Sequence, residues 1–266
     1  MISITDYFKF ECMPFGKEVS ELFVYPQLEQ VHQKIAVAIE SATGILITGQ
    51  AGTGKTTAVR GFTDGLPANK YKVIYLGYDQ RGGAMFARLG LELGLSISSS
   101  RNHRMLQLTK QIQRNISGAG KRLILVIDEA HLLEGSTLED VRLLTNTDMD
   151  RRSDVIPIMV GQLWLRTKLK NLGHEALYQR LQFRYGLEGL TLKQCTAYIE
   201  HHTLVAGCNK NLFSATALKT IFQASGGILR EINNLCLESL LSAADAKLSL
   251  VDTQTIQKVL DERETS

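Results

Sequence analysis

The chain has 266 residues, 44% of them apolar and 21% charged, with a net charge of +3. These are ordinary globular proportions, and they exclude a chain that is disordered as a whole. No apolar run approaches the ~18 residues of a membrane helix. Four scattered cysteines (Cys12, Cys195, Cys208, Cys236), with no CxxC pair, argue against a disulfide framework or zinc site. The first residues show neither a basic start nor a long apolar stretch, so no signal peptide and a cytoplasmic location are expected.

In chain order, short apolar runs alternate with helix-like segments. Gly44–Thr48, Lys72–Leu76, Leu123–Ile127 and Ile156–Val160 read as strands, with a short fifth at Tyr185–Leu187. Pro157 is a mild objection to the fourth, because proline has no N–H for a ladder. Continuous apolar runs suit strands covered on both faces, hence a parallel sheet with crossover helices. After Gly189 the pattern turns wholly helical: Thr191–Ala206, Ser214–Ala224, Gly226–Ala244 and Thr253–Glu262. The expected fold is α/β, a parallel sheet with flanking helices, plus a small C-terminal all-helical domain. The expected boundary falls between residues 189 and 190.

The first strand runs into Gly49-Gln50-Ala51-Gly52-Thr53-Gly54-Lys55-Thr56, which fits G-x-x-x-x-G-K-[ST] between a strand and a helix. Glycines let backbone N–H groups curl around phosphate oxygens, and the helix N-terminus adds a favourable dipole. Lys55 is placed to reach the β- and γ-phosphates, and Thr56 to put its hydroxyl on Mg²⁺. Thr57 follows on the same turn and is counted with the loop. The third strand delivers Asp128 and Glu129 at its C-terminal edge, where open α/β sheets bind ligands. Asp128 is the expected Mg²⁺ ligand, and Glu129 the group that activates the attacking water. The same pair can also simply cap the next helix. His131 reads either as a polar link to the γ-phosphate or as an exposed residue.

Charge is unevenly spread. Residues 55–122 hold 12 basic and 3 acidic residues, whereas residues 1–54 hold 3 and 6. Such a concentration attracts a polyanion, nucleic acid being the commonest, although an ordinary solvated surface explains it equally well.

These two motifs, their spacing and the helical tail resemble the AAA+ ATPases. The closer likeness is to the ExeA-like branch, which includes ATPases of bacterial secretion operons and the transposition ATPases of the TniB, MuB and TnsC type. Tyr7-Phe8-Lys9-Phe10, Met13-Pro14-Phe15 and Leu22-Phe23-Val24-Tyr25 look like that branch's leading segment. The resemblance implies that residues 1–41 belong with the nucleotide domain, with Pro14 and Phe15 near the adenine; an aromatic cluster of this kind equally suits a core. It implies Gln162 as the polar sensor after the fourth strand, and Arg180, ahead of Arg184, as an arginine finger acting on a neighbouring subunit. It implies Arg230, just inside the helix opened by Gly226-Gly227, as a second sensor on the lid.

What the resemblance further implies is an ATPase using ATP and Mg²⁺ in a homo-oligomeric ring or helical filament. The favoured task is transposition: assembly on double-stranded DNA, target selection and recruitment of a transposase. Arg81, Arg101, Arg104 and Lys110 are the expected phosphate contacts. The alternatives are a secretion-associated ATPase or an ATP-driven switch acting on a protein partner.

Overall fold

The computed structural model describes residues 3–16, 21–77, 84–96, 100–146, 154–171 and 173–265, with the side chains of residues 84 and 115 left aside. It divides into two compact units, one built from Pro26–Ala51 and Lys55–Leu187, the other from Met1–Tyr25, Gly52–Gly54 and Glu188–Ser266.

The first unit is a five-stranded sheet in the order β2-β3-β4-β1-β5. Its strands are β1 (Ile45–Gly49), β2 (Tyr71–Leu76), β3 (Arg122–Ile127), β4 (Val155–Gly161) and β5 (Phe183–Leu187). Every pairing is parallel. All residues of β1 and β4 are buried, whereas the edge strands β2 and β5 are mixed. That difference follows from position, because an inner parallel strand is covered on both faces.

Pro157 does lie inside β4, opposite Leu125 of β3. Gly44 makes room for it: a Cβ there would fall 2.8 Å from Pro157 Cγ and 2.7 Å from Leu181 Cδ2. A larger residue at 44 has no space without moving the strand.

Helix α2 (Pro26–Glu40) buries Leu28, Val31, Ile35, Ala38 and Ile39, the three-and-four spacing of one helical face. It packs on α3 (Lys55–Thr63) and on β1, β4 and β5. The main core gathers Phe86, Leu89, Leu108, Ile112, Leu138, Val141 and Leu165 around Leu123, Leu125 and Ile127 of β3. These come from α4 (Ala84–Glu92), α5 (Arg101–Ile112), α6 (Gly135–Leu144) and α7 (Trp164–Lys170); α8 (Glu175–Arg180) follows. Helix α5 ends in a π turn, Gln113–Ser117, closed by the Gly118 N–H on the Gln113 carbonyl at 2.8 Å.

The second unit holds α9 (Leu192–Val205), α10 (Ala215–Ser225), α11 (Leu229–Asp245) and α12 (Thr253–Glu264), preceded at the N-terminus by the short α1 (Ile4–Phe8). Local chemistry sets the helix starts. Thr191 and Gln194 form a reciprocal capping box, Ser214 caps α10, and Asp252 caps α12. Gly226 ends α10 in the left-handed region, and at Gly227 a Cβ would fall 2.1 Å from the Leu190 carbonyl oxygen. Gly227 is therefore required by a close backbone approach, and Gly226 is favoured by its left-handed φ of 57°.

Residues 1–25 cluster with these helices, whereas the family resemblance implies that the whole of residues 1–41 belongs with the nucleotide domain. The reason is aromatic burial. Phe8, Phe10, Phe15 and Tyr25 are all core residues. Phe15 stacks on His202 at 5.3 Å, and Phe23 meets Tyr198 edge-on at 5.5 Å.

Candidate nucleotide site

The C-terminal ends of β1, β3 and β4 open on one edge of the parallel sheet, with Thr48 opposite Gly161 and Ile127 opposite Met159. The order places the first strand between β4 and β5, which creates the switch point where open α/β sheets take ligands. Three segments leave at this edge: the glycine loop after β1, the acidic turn after β3 and Gln162 after β4.

The glycine loop needs its glycines. Gly52 and Gly54 have φ of 83° and 84°, a region that costs side-chain-bearing residues energy. Lys55 begins α3 and is buried to 6% exposure. Its Nζ donates to the Gly49 carbonyl at 3.0 Å and the Gln50 carbonyl at 2.7 Å. A buried ammonium needs such partners, and anionic oxygens satisfy it better than carbonyls do. Thr56 stands one residue on, and its Oγ1 donates to Asp128 Oδ2 at 2.6 Å. A hydroxyl and a carboxylate oxygen at this separation are the hard oxygen donors that Mg²⁺ prefers. Thr57 is exposed on the same turn.

The acidic turn is strained in one place. Glu129 has φ 52° and ψ 31°, and a 3₁₀ turn, Ala130–Leu132, follows it. The other oxygen of Asp128 accepts from the Glu129 N–H at 2.8 Å, which fixes the carboxylate. The Glu129 side chain is half-exposed and comes within 3.3 Å of His131 Nδ1. His131 is not the exposed residue of one sequence reading: it is 2% exposed. Burial pushes its imidazole below the usual histidine range, Glu129 opposes that, and Lys55 adds to it. The Gln162 N–H points at the same Nδ1 at 3.4 Å.

The other expected residues have partners of their own. Arg180 Nη1 donates to the Thr145 carbonyl at the end of α6, at 3.0 Å. Arg184 stacks on the Tyr178 ring at 3.9 Å and donates to the Tyr178 carbonyl at 2.8 Å. Arg230 is exposed at the start of α11 in the helical unit; its N–H donates to the Gly52 carbonyl at 3.1 Å. Pro14 and Phe15 are buried within that same unit, Phe15 under His202.

The expected DNA contacts divide three ways. Arg81 lies outside the described residues. Arg101 is held by Asp140 of α6 through an ion pair at 2.7 Å, and it also donates to the Ser136 carbonyl at 2.9 Å. That gives it a structural task, joining α5 to α6. Arg104 is half-buried and Lys110 exposed, both on α5. Sequence reasoning missed the Arg101–Asp140 pair and the Arg184–Tyr178 stack, since each joins residues on different elements.

A family model described as AAA domain matches residues 39–169. That span runs from the end of α2 to α7 and includes both the glycine loop and the acidic turn. The chain is also 34% identical, over 202 residues, to general secretion pathway protein A of Aeromonas hydrophila. That stretch is 75% of this chain and 37% of the relative, so the chain spans well under half of that protein's length. Among solved structures, the Aeropyrum pernix ORC1 protein in complex with DNA aligns with a TM-score of 0.69 at 17% identity, over 91% of this chain and 66% of that one. Cdc6p from Pyrobaculum aerophilum aligns at 0.68 and 15% identity, over 89% and 67%. A point variant of Thermotoga maritima RuvB aligns at 0.58 and 16%, over 88% and 68%. At such identities these structures show the fold alone, a P-loop AAA+ parallel sheet with flanking helices and C-terminal helices.

Proposed function

We propose that the chain is a magnesium-dependent ATP hydrolase. The observation that carries this reading is the 2.6 Å contact between Thr56 and Asp128, with Glu129 next in the chain. Gly49–Gly54 and Lys55 would hold the phosphates, and Thr56 with Asp128 would hold Mg²⁺, which would supply positive charge to offset that of the phosphates. Glu129 takes a proton from the attacking water as its oxygen bonds to the terminal phosphorus and the bond to the ADP oxygen breaks. Gln162 senses the terminal phosphate from the end of β4. Arg230, and Arg180 or Arg184 from a neighbouring copy, stabilise the charge that develops on the transferred group. The family resemblance supports this assignment of the arginines, the choice of ATP and a ring or filament of copies.

In our reading ATP-bound copies assemble on double-stranded DNA in the cytoplasm, select a target and recruit a transposase, and hydrolysis then releases or remodels the assembly. What supports DNA is the positive charge concentrated over residues 55–122. Lys110 on α5 and Arg114 in the π turn are exposed there, and among the described residues neither is ion-paired. No described helix is long and apolar enough to cross a membrane. A second reading, a secretion-associated ATPase, is favoured by the 34% identity to the Aeromonas secretion protein. ATP turnover with and without random-sequence duplex DNA, at low and moderate salt, separates the two. Salt-sensitive stimulation with growth of large assemblies supports the DNA reading. Equal turnover and unchanged particle size with DNA overturn it in favour of a protein partner.

A further inference from the structure

His131 has no task in the reaction as written, yet four contacts fix it. Its Nδ1 lies 3.3 Å from Glu129 Oε2 and 3.4 Å from the Gln162 backbone nitrogen. Its ring meets Trp164 edge-on at 5.0 Å. Its own carbonyl accepts from Lys168 Nζ at 3.1 Å. Gly161 leaves the space for this: a Cβ there would lie 3.2 Å from His131 N and 3.4 Å from His131 Cβ. Among the described residues, His131 is the side chain that comes within ion-pair distance of the Glu129 carboxylate.

The two contacts at Nδ1 exclude each other. An imidazole nitrogen that carries hydrogen donates, and one without it accepts. With a proton on Nδ1, the ring holds the Glu129 carboxylate. With the proton on Nε2, the bare Nδ1 takes the Gln162 N–H, and the carboxylate is released. Burial favours the neutral ring, so the exchange is between its two tautomers.

We propose that His131 is the positioning residue for Glu129, holding its carboxylate while Nδ1 carries the proton and freeing it when Nδ1 turns to the Gln162 N–H. The water-activating carboxylate and the phosphate-sensing position are thereby linked through one atom. This rests on Glu129 acting as base in the hydrolysis proposed above.

The test uses the full chain with His131→Leu, His131→Gln and His131→Asn, each alone and combined with Glu129→Gln. Leucine keeps apolar volume against Trp164, and glutamine places its amide near the Nε2 position; neither puts a polar atom at Nδ1. Asparagine does. Affinity for a fluorescent ATP analogue with Mg²⁺, kcat and Tm are measured for each. The expected result for His131→Leu and His131→Gln is a kcat lower by about ten- to a hundredfold. Nucleotide affinity should stay within about twofold of wild type. His131→Asn should recover most of the rate. In the Glu129→Gln background the His131 changes should have no further effect, because coupled residues are non-additive. If His131→Leu fails to fold, His131→Gln carries the same expectation. Wild-type kcat in a folded His131→Leu or His131→Gln protein overturns the inference, as does an equal fold-loss in both backgrounds. In either case a slow Glu129→Gln enzyme leaves the hydrolysis reading intact. Wild-type turnover by Glu129→Gln itself removes that reading, and the His131 inference falls with it.

Discussion

The Thr56 hydroxyl and the Asp128 carboxylate meet at 2.6 Å although 72 positions separate them in the chain. The sheet makes this possible. β1 and β3 end on the same edge with β4 between them, so the loop after one strand and the turn after the other face a common space. A hydroxyl and a carboxylate brought together in this way are set for a cation that prefers hard oxygen ligands.

Removing either partner should therefore weaken the effect of the cation more than nucleotide binding as such. Thr56→Ala and Asp128→Asn are each expected to lose about tenfold of the gain in ATP affinity that Mg²⁺ confers. Affinity measured with Mg²⁺ and with excess chelator provides the check. An unchanged Mg²⁺ dependence in both variants would detach these residues from the metal.

Arg101 and Lys110 share helix α5 but should behave differently. Arg101 holds Asp140, which is only 7% exposed, so Arg101→Ala leaves a buried carboxylate without its partner. The expected outcome is a lower Tm with little change in the salt dependence of DNA binding. Lys110→Ala should keep the wild-type Tm, weaken DNA binding and reduce the slope of log affinity against log salt by about one. Thermal melts and salt titrations of both variants measure this. The reverse pattern would place Arg101, not Lys110, at the DNA.

His202 sets a pH dependence in the helical unit. Burial, with His201 adding to it, pushes its imidazole down to about 4. In the unfolded chain the ring titrates near 6.5. Between these values the unfolded state binds more protons than the folded state, so stability falls as pH drops from about 6.5 to about 4. A shift of this size corresponds to about 3 kcal/mol once the pH is below both values. Urea denaturation at pH 7 and pH 4.5 should show the loss in wild type and a smaller one in His202→Leu. Equal losses in the two proteins would mean that His202 does not titrate in this window.

Much of this architecture is legible in the sequence because inner parallel strands need unbroken apolar runs. β1, β3 and β4 read directly for that reason. Edge strand β5 reads only in part: three of its five residues are half-buried and one is exposed, so the pattern is weak. The glycine loop and the acidic turn are also legible, since their chemistry sits on consecutive residues. What does not read is side-chain pairing across elements. Arg101 looks like a free cation until Asp140, 39 positions away, supplies its partner. His131 reads as doubtful because its environment comes from β4 and α7. The leading aromatics Phe8, Phe10 and Phe15 signal burial, but nothing local says which unit they bury against.

The central claim is that Glu129 drives hydrolysis of a bound nucleotide. The most direct measurement is steady-state ATP turnover by wild type and Glu129→Gln, alongside ATP affinity for both. The account predicts wild-type turnover, affinity retained in the variant, and a turnover reduced by about a hundredfold or more. Equal turnover in the two proteins would contradict it.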